Sequence, residues 1–401
     1  MKVLFVTWDG PQVNYLETLF LPIFSRLATM GFQFHVLQFT WASANRFAQS
    51  RKACEEAGFS YEAVRIMRWP RSLGALMTAV LGTRRLHAAI REQAIDIIMP
   101  RSTLPGLMVL LRAKSVNCHV VFDADGLPLD ERVEFTPQSS SGFAYRFQRD
   151  IEAEVVRRAD AVIVRTNKAA DILISRAGPN VNRKKFQIVS NGRDPESFKT
   201  LDRTLRAPLR ERMNVGITSP LVVYVGSLGG KYCFAEMLQL FIIIHARRQD
   251  ARLWVLTGSP KEAEDEIAKY VGLDAVTDVR TVTPSEVPTY LGCADLGLAL
   301  IQQGFSMQAV SAVKLGEYFL CGVPVVATTG VGDSDLISKD VGFLVSEMNT
   351  SQIEAAASWF VDTVLPAREI YRLRCREFGL LNYSLDASVD AYARVLRSLR
   401  A

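Results

Sequence analysis

The chain has 401 residues, 49% hydrophobic and 22% charged, an ordinary soluble globular balance in a length too great for one core. Its formal charge of +5 is too small to argue for nucleic-acid binding. Six scattered cysteines without a CxxC pair, and only four histidines, offer no zinc constellation, and the thiols fit a reducing, cytoplasmic setting.

The first ten residues, MKVLFVTWDG, hold too short an apolar run for a signal peptide and read as a strand, Lys2–Trp8. No run of 18 apolar residues is present to span a membrane. Helix Asn14–Met30 follows and stops at Gly31. Next come strand Phe32–Phe39, helix Ser43–Ala57, strand Tyr61–Ile66, helix Gly74–Gln93, strand Ile95–Met99, helix Leu104–Ala113 and strand Cys118–Phe122. Helix Gly142–Arg158, strand Ala161–Arg165, helix Lys168–Arg176 and strand Phe186–Val189 complete the first half. The charged, proline-containing stretch Asp194–Pro220 reads as a boundary. The second half repeats the alternation, with strands Leu221–Val225, Arg252–Leu256, Val276–Thr281, Asp295–Leu300, Val323–Ala327 and Gly342–Val345. Helices Thr350–Phe360, Pro366–Phe378 and Asp386–Arg400 end the chain. Strands separated by helix-length segments imply parallel sheets, and two such halves imply two Rossmann-like domains that bind ligands beyond the carboxyl ends of their strands.

Several loops at those strand ends carry polar chemistry. In Ser311–Val326, SAVKLGEYFLCGVPVV, a helix opening on Ser311 would place Ser311, Lys314 and Glu317 on one face. A hydroxyl at a helix start, a cation and a carboxylate together suit a nucleoside diphosphate: donors and charge for phosphate, an acceptor for ribose hydroxyls. The same spacing also describes a capped surface helix with a Lys–Glu pair. The loop Gly226-Ser-Leu-Gly-Gly-Lys231 follows a strand and precedes helix Cys233–Arg247. It is either an anion cradle or a tight strand–helix turn, and it lacks the residues of a P-loop.

Ser190-Asn-Gly-Arg-Asp194 is a turn at the proposed hinge. Asp123-Ala-Asp125 and Asp130-Glu-Arg132 form a polar loop in which Asp125, Glu131 and Arg132 are candidates for acceptor or sugar contacts. Arg101, after another strand, is placed either to reach a phosphate or to lie on the surface, and His119 reads as a core histidine. The segment Arg65–Arg91 holds Arg65, Arg68, Arg71, Arg84, Arg85 and Arg91, with Trp69 and Leu76–Leu81 interleaved and no acidic residue. That pattern fits either an anionic lipid surface or a solvated arginine face.

Taken together these stretches resemble glycosyltransferase family 4, retaining enzymes of the GT-B fold. Ser190-Asn-Gly-Arg-Asp194 is similar to the family's Pro-Asn-Gly-Val-Asp. Val225-Gly-Ser-Leu-Gly229 is similar to its Val-Gly-Arg-Leu loop. Lys314-Leu-Gly-Glu-Tyr318 followed by Cys321-Gly-Val-Pro-Val325 resembles its donor-site helix and strand. The resemblance implies an α/β chain of two facing Rossmann-like domains: an acceptor domain at 1–198, a nucleotide-sugar domain at 199–380, and a final segment, 381–401, returning to the first.

The implied reaction moves a sugar from a nucleotide-linked donor, UDP- or GDP-linked, to an acceptor hydroxyl with retained configuration, without a metal or other cofactor. The implied donor contacts are Gly226, Ser227, Gly229, Gly230, Val282, Ser311, Val313 and Glu317. Glu317 would hold the ribose, and backbone near Thr281–Pro284 the base. Lys231, Lys314, Asp125 and Arg101 are the implied catalytic groups, and Trp8, Gly10, Glu131 and Arg132 the acceptor contacts.

The chain departs from the family's pattern at Ala309, in the first position of its glutamate pair, at Ser227, in place of an arginine, and at Trp8-Asp-Gly10, in place of a double glycine. The departures fit a subgroup with a Ser-x-x-Lys-x-x-Glu donor motif, as in enzymes that build bacterial surface polysaccharides; a lipid-linked acceptor at the inner membrane would explain the Arg65–Arg91 surface and favours exopolysaccharide, capsule or O-antigen assembly. They also fit an inactive scaffold of such a complex. A third reading on the same fold is a sugar-nucleotide epimerase.

Overall fold

The computed structural model describes residues 1–11, 14–69, 71–111, 118–136, 140 and 142–399, without the side chains of residues 71 and 72. The chain forms two compact units. One holds Met1–Val189 together with the residues from Ser388 on; the other is Ser190–Ala387.

The first unit alternates strand and helix: β1 (Lys2–Asp9), α1 (Leu21–Thr29), β2 (Gln33–Thr40), α2 (Ala44–Glu56), β3 (Ser60–Arg65), α3 (Arg71–Gln93), β4 (Ile97–Pro100), α4 (Thr103–Leu110), β5 (His119–Asp123), α5 (Pro128–Phe135), α6 (Phe143–Arg158), β6 (Ala161–Val164), α7 (Asn167–Ala177) and β7 (Phe186–Ile188). Its seven strands are all parallel in the order β3-β2-β1-β4-β5-β6-β7. Strands covered on both faces must be apolar throughout, which is why β6 reads Ala-Val-Ile-Val and is wholly buried. Register is fixed from Lys2 opposite Gln33 to Asp9 opposite Thr40. Phe5, Phe20, Phe24, Phe34 and Phe59 pack as one aromatic cluster under α1, with Phe24 stacked on Phe34 at 4.0 Å.

The second unit contains α8 (Arg203–Arg212), β8 (Leu221–Val225), α9 (Phe234–Arg247), β9 (Arg252–Leu256), α10 (Pro260–Ile267), β10 (Thr277–Arg280), α11 (Val287–Cys293), β11 (Leu296–Ala299), α12 (Val313–Leu320), β12 (Val325–Thr328), β13 (Gly342–Val345), α13 (Thr350–Trp359) and α14 (Arg368–Tyr383). Its six parallel strands run β10-β9-β8-β11-β12-β13. One apolar layer joins α9 and α13 to the sheet; another joins α11, α12 and α14 to its opposite face. The last helix, α15 (Leu385–Ser398), begins in the second unit and continues in the first.

Several expected elements shift for identifiable reasons. The charged stretch Asp194–Pro220 contains α8, whose Arg206 and Arg210 are buried. The strand expected at Val323–Ala327 starts at Val325, because Gly322, at φ +73°, turns the chain and Val323 N–H caps back onto the Tyr318 carbonyl. Helix Gly142–Arg158 begins at Phe143, with Gly142 as its cap. The helix expected at Leu104–Ala113 ends at Leu110, and residues 112 and 113 lie outside the described residues, as does Arg400 of the final helix. His119 is exposed and 3.6 Å from Asp160, so it is not a core residue. The six cysteines are all free thiols.

Candidate functional site

The site is assembled at the carboxyl end of the second unit's sheet. β8 delivers the chain into Gly226–Gly230. Gly226, Gly229 and Gly230 all have positive φ, which side-chain-bearing residues rarely adopt. The loop also passes close to Lys314: a Cβ at Gly226 would lie 2.9 Å from its Nζ. The loop is pinned at its far side. Gln302 N–H donates to the Lys231 carbonyl at 2.7 Å, Cys233 N–H donates to the Leu300 carbonyl, and Tyr232 bridges Ile301. At its near side the Tyr224 hydroxyl donates to the Ser227 carbonyl, and the Ser227 side chain is exposed.

The helix expected to open on Ser311 opens at Val313, with Ala312 as its uncapped N-cap. The reason lies in the neighbouring loop. Asn191 Nδ2 donates to the Ser311 carbonyl, and Gly332 passes so close that a Cβ there would stand 1.9 Å from the Val310 carbonyl oxygen. Residues 310 and 312 are therefore held extended. Ser311 and Val313 are half-buried beside the helix start, with Ser311 two residues short of the helical face.

Lys314 and Glu317 do share a face of α12, and both are buried. Their partners differ. Arg193 holds Glu317, with Nε and Nη2 both 3.0 Å from Oε1. Burial pushes the Glu317 carboxyl up from its ordinary value, with Arg193 and then Lys314 pulling against it. Lys314 Nζ has no hydrogen-bond partner among the described residues. It lies over the rings of Tyr224, at 4.2 Å, and Tyr232, at 4.5 Å. Burial brings its ammonium down to about 7; Glu317 opposes that shift and Lys231 adds to it.

Arg193 was not among the expected site residues. Its signal was legible, because it stands where the resembled Pro-Asn-Gly-Val-Asp motif has valine. Its backbone is fixed as well: its N–H donates to the Tyr383 carbonyl at 2.9 Å, and its carbonyl accepts from Leu385 N–H at 2.7 Å. The aromatic pair Tyr224 and Tyr232 was missed too, since nothing in sequence spacing relates a strand residue and a loop residue to a helix lysine. Val282 is half-buried in the segment just after β10, where the Thr281 hydroxyl donates to the Thr257 carbonyl.

In the first unit a separate polar cluster stands at the ends of β4, β5 and β6. Arg101 is buried, 2.5 Å from Asp125 and 3.7 Å from Asp123, and its guanidinium lies over the rings of Phe20 and Tyr15. Asp123 receives both Nη2 contacts of Arg165, at 2.7 and 2.8 Å, and accepts from the Tyr392 hydroxyl of α15 at 3.2 Å. Ser102 and Asp125 both adopt positive φ without being glycine, a strained backbone of the kind that collects at functional sites. Trp8 stacks on Phe39 at 5.6 Å, and Gly10 faces the Trp41 ring. Glu131 is half-buried and Arg132 exposed on α5, which is anchored by its neighbour Asp130 through Arg176 and Tyr145. Among the described residues no group of three or more His, Cys, Asp or Glu is arranged to hold a metal, and no helix is long and apolar enough to cross a membrane.

Comparison with known proteins gives this geometry its context. Residues 17–192 match a family model described as a glycosyl transferase 4-like domain, and residues 219–362 match one described as glycosyl transferases group 1. Between them the two matches take in most of the chain. The chain is a glycosyltransferase family 4-like protein with the GT-B fold. A D-inositol 3-phosphate glycosyltransferase from Xylanimonas cellulosilytica is 28% identical over 208 residues. That match covers 48% of this chain and 46%, less than half, of the relative.

Among solved structures, Anabaena HepE in complex with UDP superposes with a TM-score of 0.73 at 15% identity, over 99% of this chain and 100% of that one. A glycosyltransferase from Rickettsia africae superposes at 0.76 and 12% identity, over 100% of this chain and 99% of that one. At these identities the likeness speaks for the fold of this family 4-like chain.

Proposed function

We propose that this chain is a retaining hexosyltransferase that moves a sugar from a UDP- or GDP-linked donor to an acceptor hydroxyl. The observation that carries the reading is Lys314: a buried cation without a hydrogen-bond partner, set against a glycine loop and beside a carboxylate already held by Arg193. A diphosphate offers the acceptor oxygens and negative charge that suit such a site. Lys314, Lys231, the Gly226–Gly230 amides and the start of α12 would stabilise the charge that develops on the leaving diphosphate. Glu317 would accept from the ribose, and Val282 and its neighbours would flank the base. UDP bound to HepE supports a nucleotide at this fold's donor position.

The second unit would thus serve the donor, and the first, through Asp125, Arg101, Trp8, Gly10, Glu131 and Arg132, the acceptor. A panel of nucleoside diphosphates tests the donor assignment. One of them is expected to raise the thermal midpoint, with a stabilisation of about 2.7 kcal/mol at a hundred times its Kd. Glu317→Ala should lose most of that rise. No response to any nucleotide would favour the inactive-scaffold reading, which Ala309 and Ser227 motivate; turnover of any donor would eliminate it.

A lipid-linked acceptor at the inner face of the membrane, in exopolysaccharide, capsule or O-antigen assembly, fits the surface of α3. Leu73, Met77, Val80 and Leu81 are exposed on that helix, and Trp69, just before it, is 86% exposed. Arg65, Arg68, Arg84, Arg85 and Arg91, on and just before that helix, are exposed, Arg85 beside Glu62, and each cation near an anionic surface contributes about 1 kcal/mol. Flotation with vesicles containing phosphatidylglycerol should carry the protein, whereas purely zwitterionic vesicles should not. Trp69→Ala combined with Arg84→Glu should release it; unchanged flotation of that variant would remove α3 from the membrane reading.

A further inference from the structure

We propose that the donor diphosphate is taken up together with a proton, which lands on Lys314 Nζ. The inference rests on the donor-site reading above and goes beyond it by assigning the proton balance of nucleotide binding.

The geometry leads there in three steps. First, Lys314 is more than nine-tenths buried, and its Nζ meets two aromatic faces and no hydrogen-bond acceptor. A buried ammonium with no such partner gives up its proton more readily than one in water. Second, the natural counter-ion on its own helix, Glu317, is engaged by two nitrogens of Arg193. Third, the other charge that reaches Lys314, Lys231 on the glycine loop, has the same sign, and the remaining titratable groups around it are the phenols of Tyr224 on β8 and Tyr232. Glu262 of α10, the next carboxylate, points to Gly229.

Burial without an acceptor therefore brings the Lys314 ammonium down to about 7. A diphosphate supplies the missing anion and drives the amine to ammonium. The proton comes from solvent, no bond is broken other than the proton donor's, and the bound pair is an ammonium facing phosphate oxygens.

Isothermal titration at pH 8 decides this. The probe is UDP or GDP, whichever raises the midpoint, since the phosphates of both are fully ionised there. Titrations in HEPES and in Tris, which differ in ionisation enthalpy, give the number of protons taken up. The wild type should take up about half a proton or more per nucleotide, since the buried amine titrates at about 7, below the pH of the experiment. Lys314→Arg, whose charge is permanent, should bind without uptake. Binding by the wild type with no proton uptake would overturn the proposal and leave the donor site standing. Failure of both nucleotides to bind at all would overturn the donor site and the proposal together.

Discussion

At the amino end of β11, Asp295 gathers Arg206 at 2.5 Å, Arg210 at 3.2 Å and Arg368 at 3.8 Å. At the other end of the same sheet, Lys314 stands against two rings with its nearest carboxylate held by Arg193. Both places carry buried positive charge, but they dispose of it differently. The arginines around Asp295 also donate to carbonyls, Arg206 to those of Cys293 and Ala294 and Arg210 to those of Cys293, Gly216 and Ser219, while Arg206 Nε and Arg368 Nε are buried without a hydrogen-bond partner among the described residues. Asp295 also accepts from Leu221 N–H at the start of β8, so the cluster ties α8, β8 and β11 together. Its charge is consumed by the fold. Lys314 has no carboxylate to itself: two rings stand beside it, and Arg193 holds the carboxylate on its own helix.

The sharpest way to break the comparison is to remove Asp295. Asp295→Ala leaves buried guanidiniums without their anion, and losses of this kind run to about 3–5 kcal/mol. Denaturant unfolding of the variant should show that loss in the transition of the second unit, and a loss below about 1 kcal/mol would mean that the carbonyls alone satisfy the arginines. A pH series sharpens the same point at smaller amplitude. The arginines hold the buried Asp295 carboxyl down at about 2, below the unfolded value near 4, so its contribution is complete above pH 4. That contribution, on the order of 2 kcal/mol, is lost as pH falls from 4 towards 2. The gap between wild type and Asp295→Ala should narrow across that window; a constant gap would assign the loss to packing.

These two clusters also show where sequence reading stops. The strands were legible because a strand buried on both faces has to be a short apolar run, and β1, β6, β8 and β12 all are. The donor motif was legible because Lys314 and Glu317 sit on one helix, so their relation is local. Arginines 206 and 210 read as part of a charged linker, since charge along a chain predicts exposure unless its partner is known, and Asp295 lies more than eighty residues away. Ser311 was placed on the helix by spacing alone. It was displaced by two contacts, with Asn191 and Gly332, that join distant parts of the chain. Arg193 sat in plain sight inside a recognised motif, yet its role depends on Glu317, 124 positions on.

The smallest effect concerns what Glu317 does beyond holding Arg193. A carboxylate that serves only as the counter-ion of Arg193 is indifferent to the sugar of the nucleotide. One that also accepts from a ribose hydroxyl should favour UDP over 2′-deoxy-UDP by the value of a hydrogen bond to a charged group, about 1.5 kcal/mol or roughly tenfold in Kd. The same comparison in Glu317→Gln, which keeps the shape and removes the charge, should shrink that preference several-fold while leaving diphosphate binding through Lys314 in place. A variant that still discriminates tenfold would show that the ribose is read elsewhere, and that the pair of Arg193 and Glu317 belongs, like Asp295 and its arginines, to the fold rather than to the site.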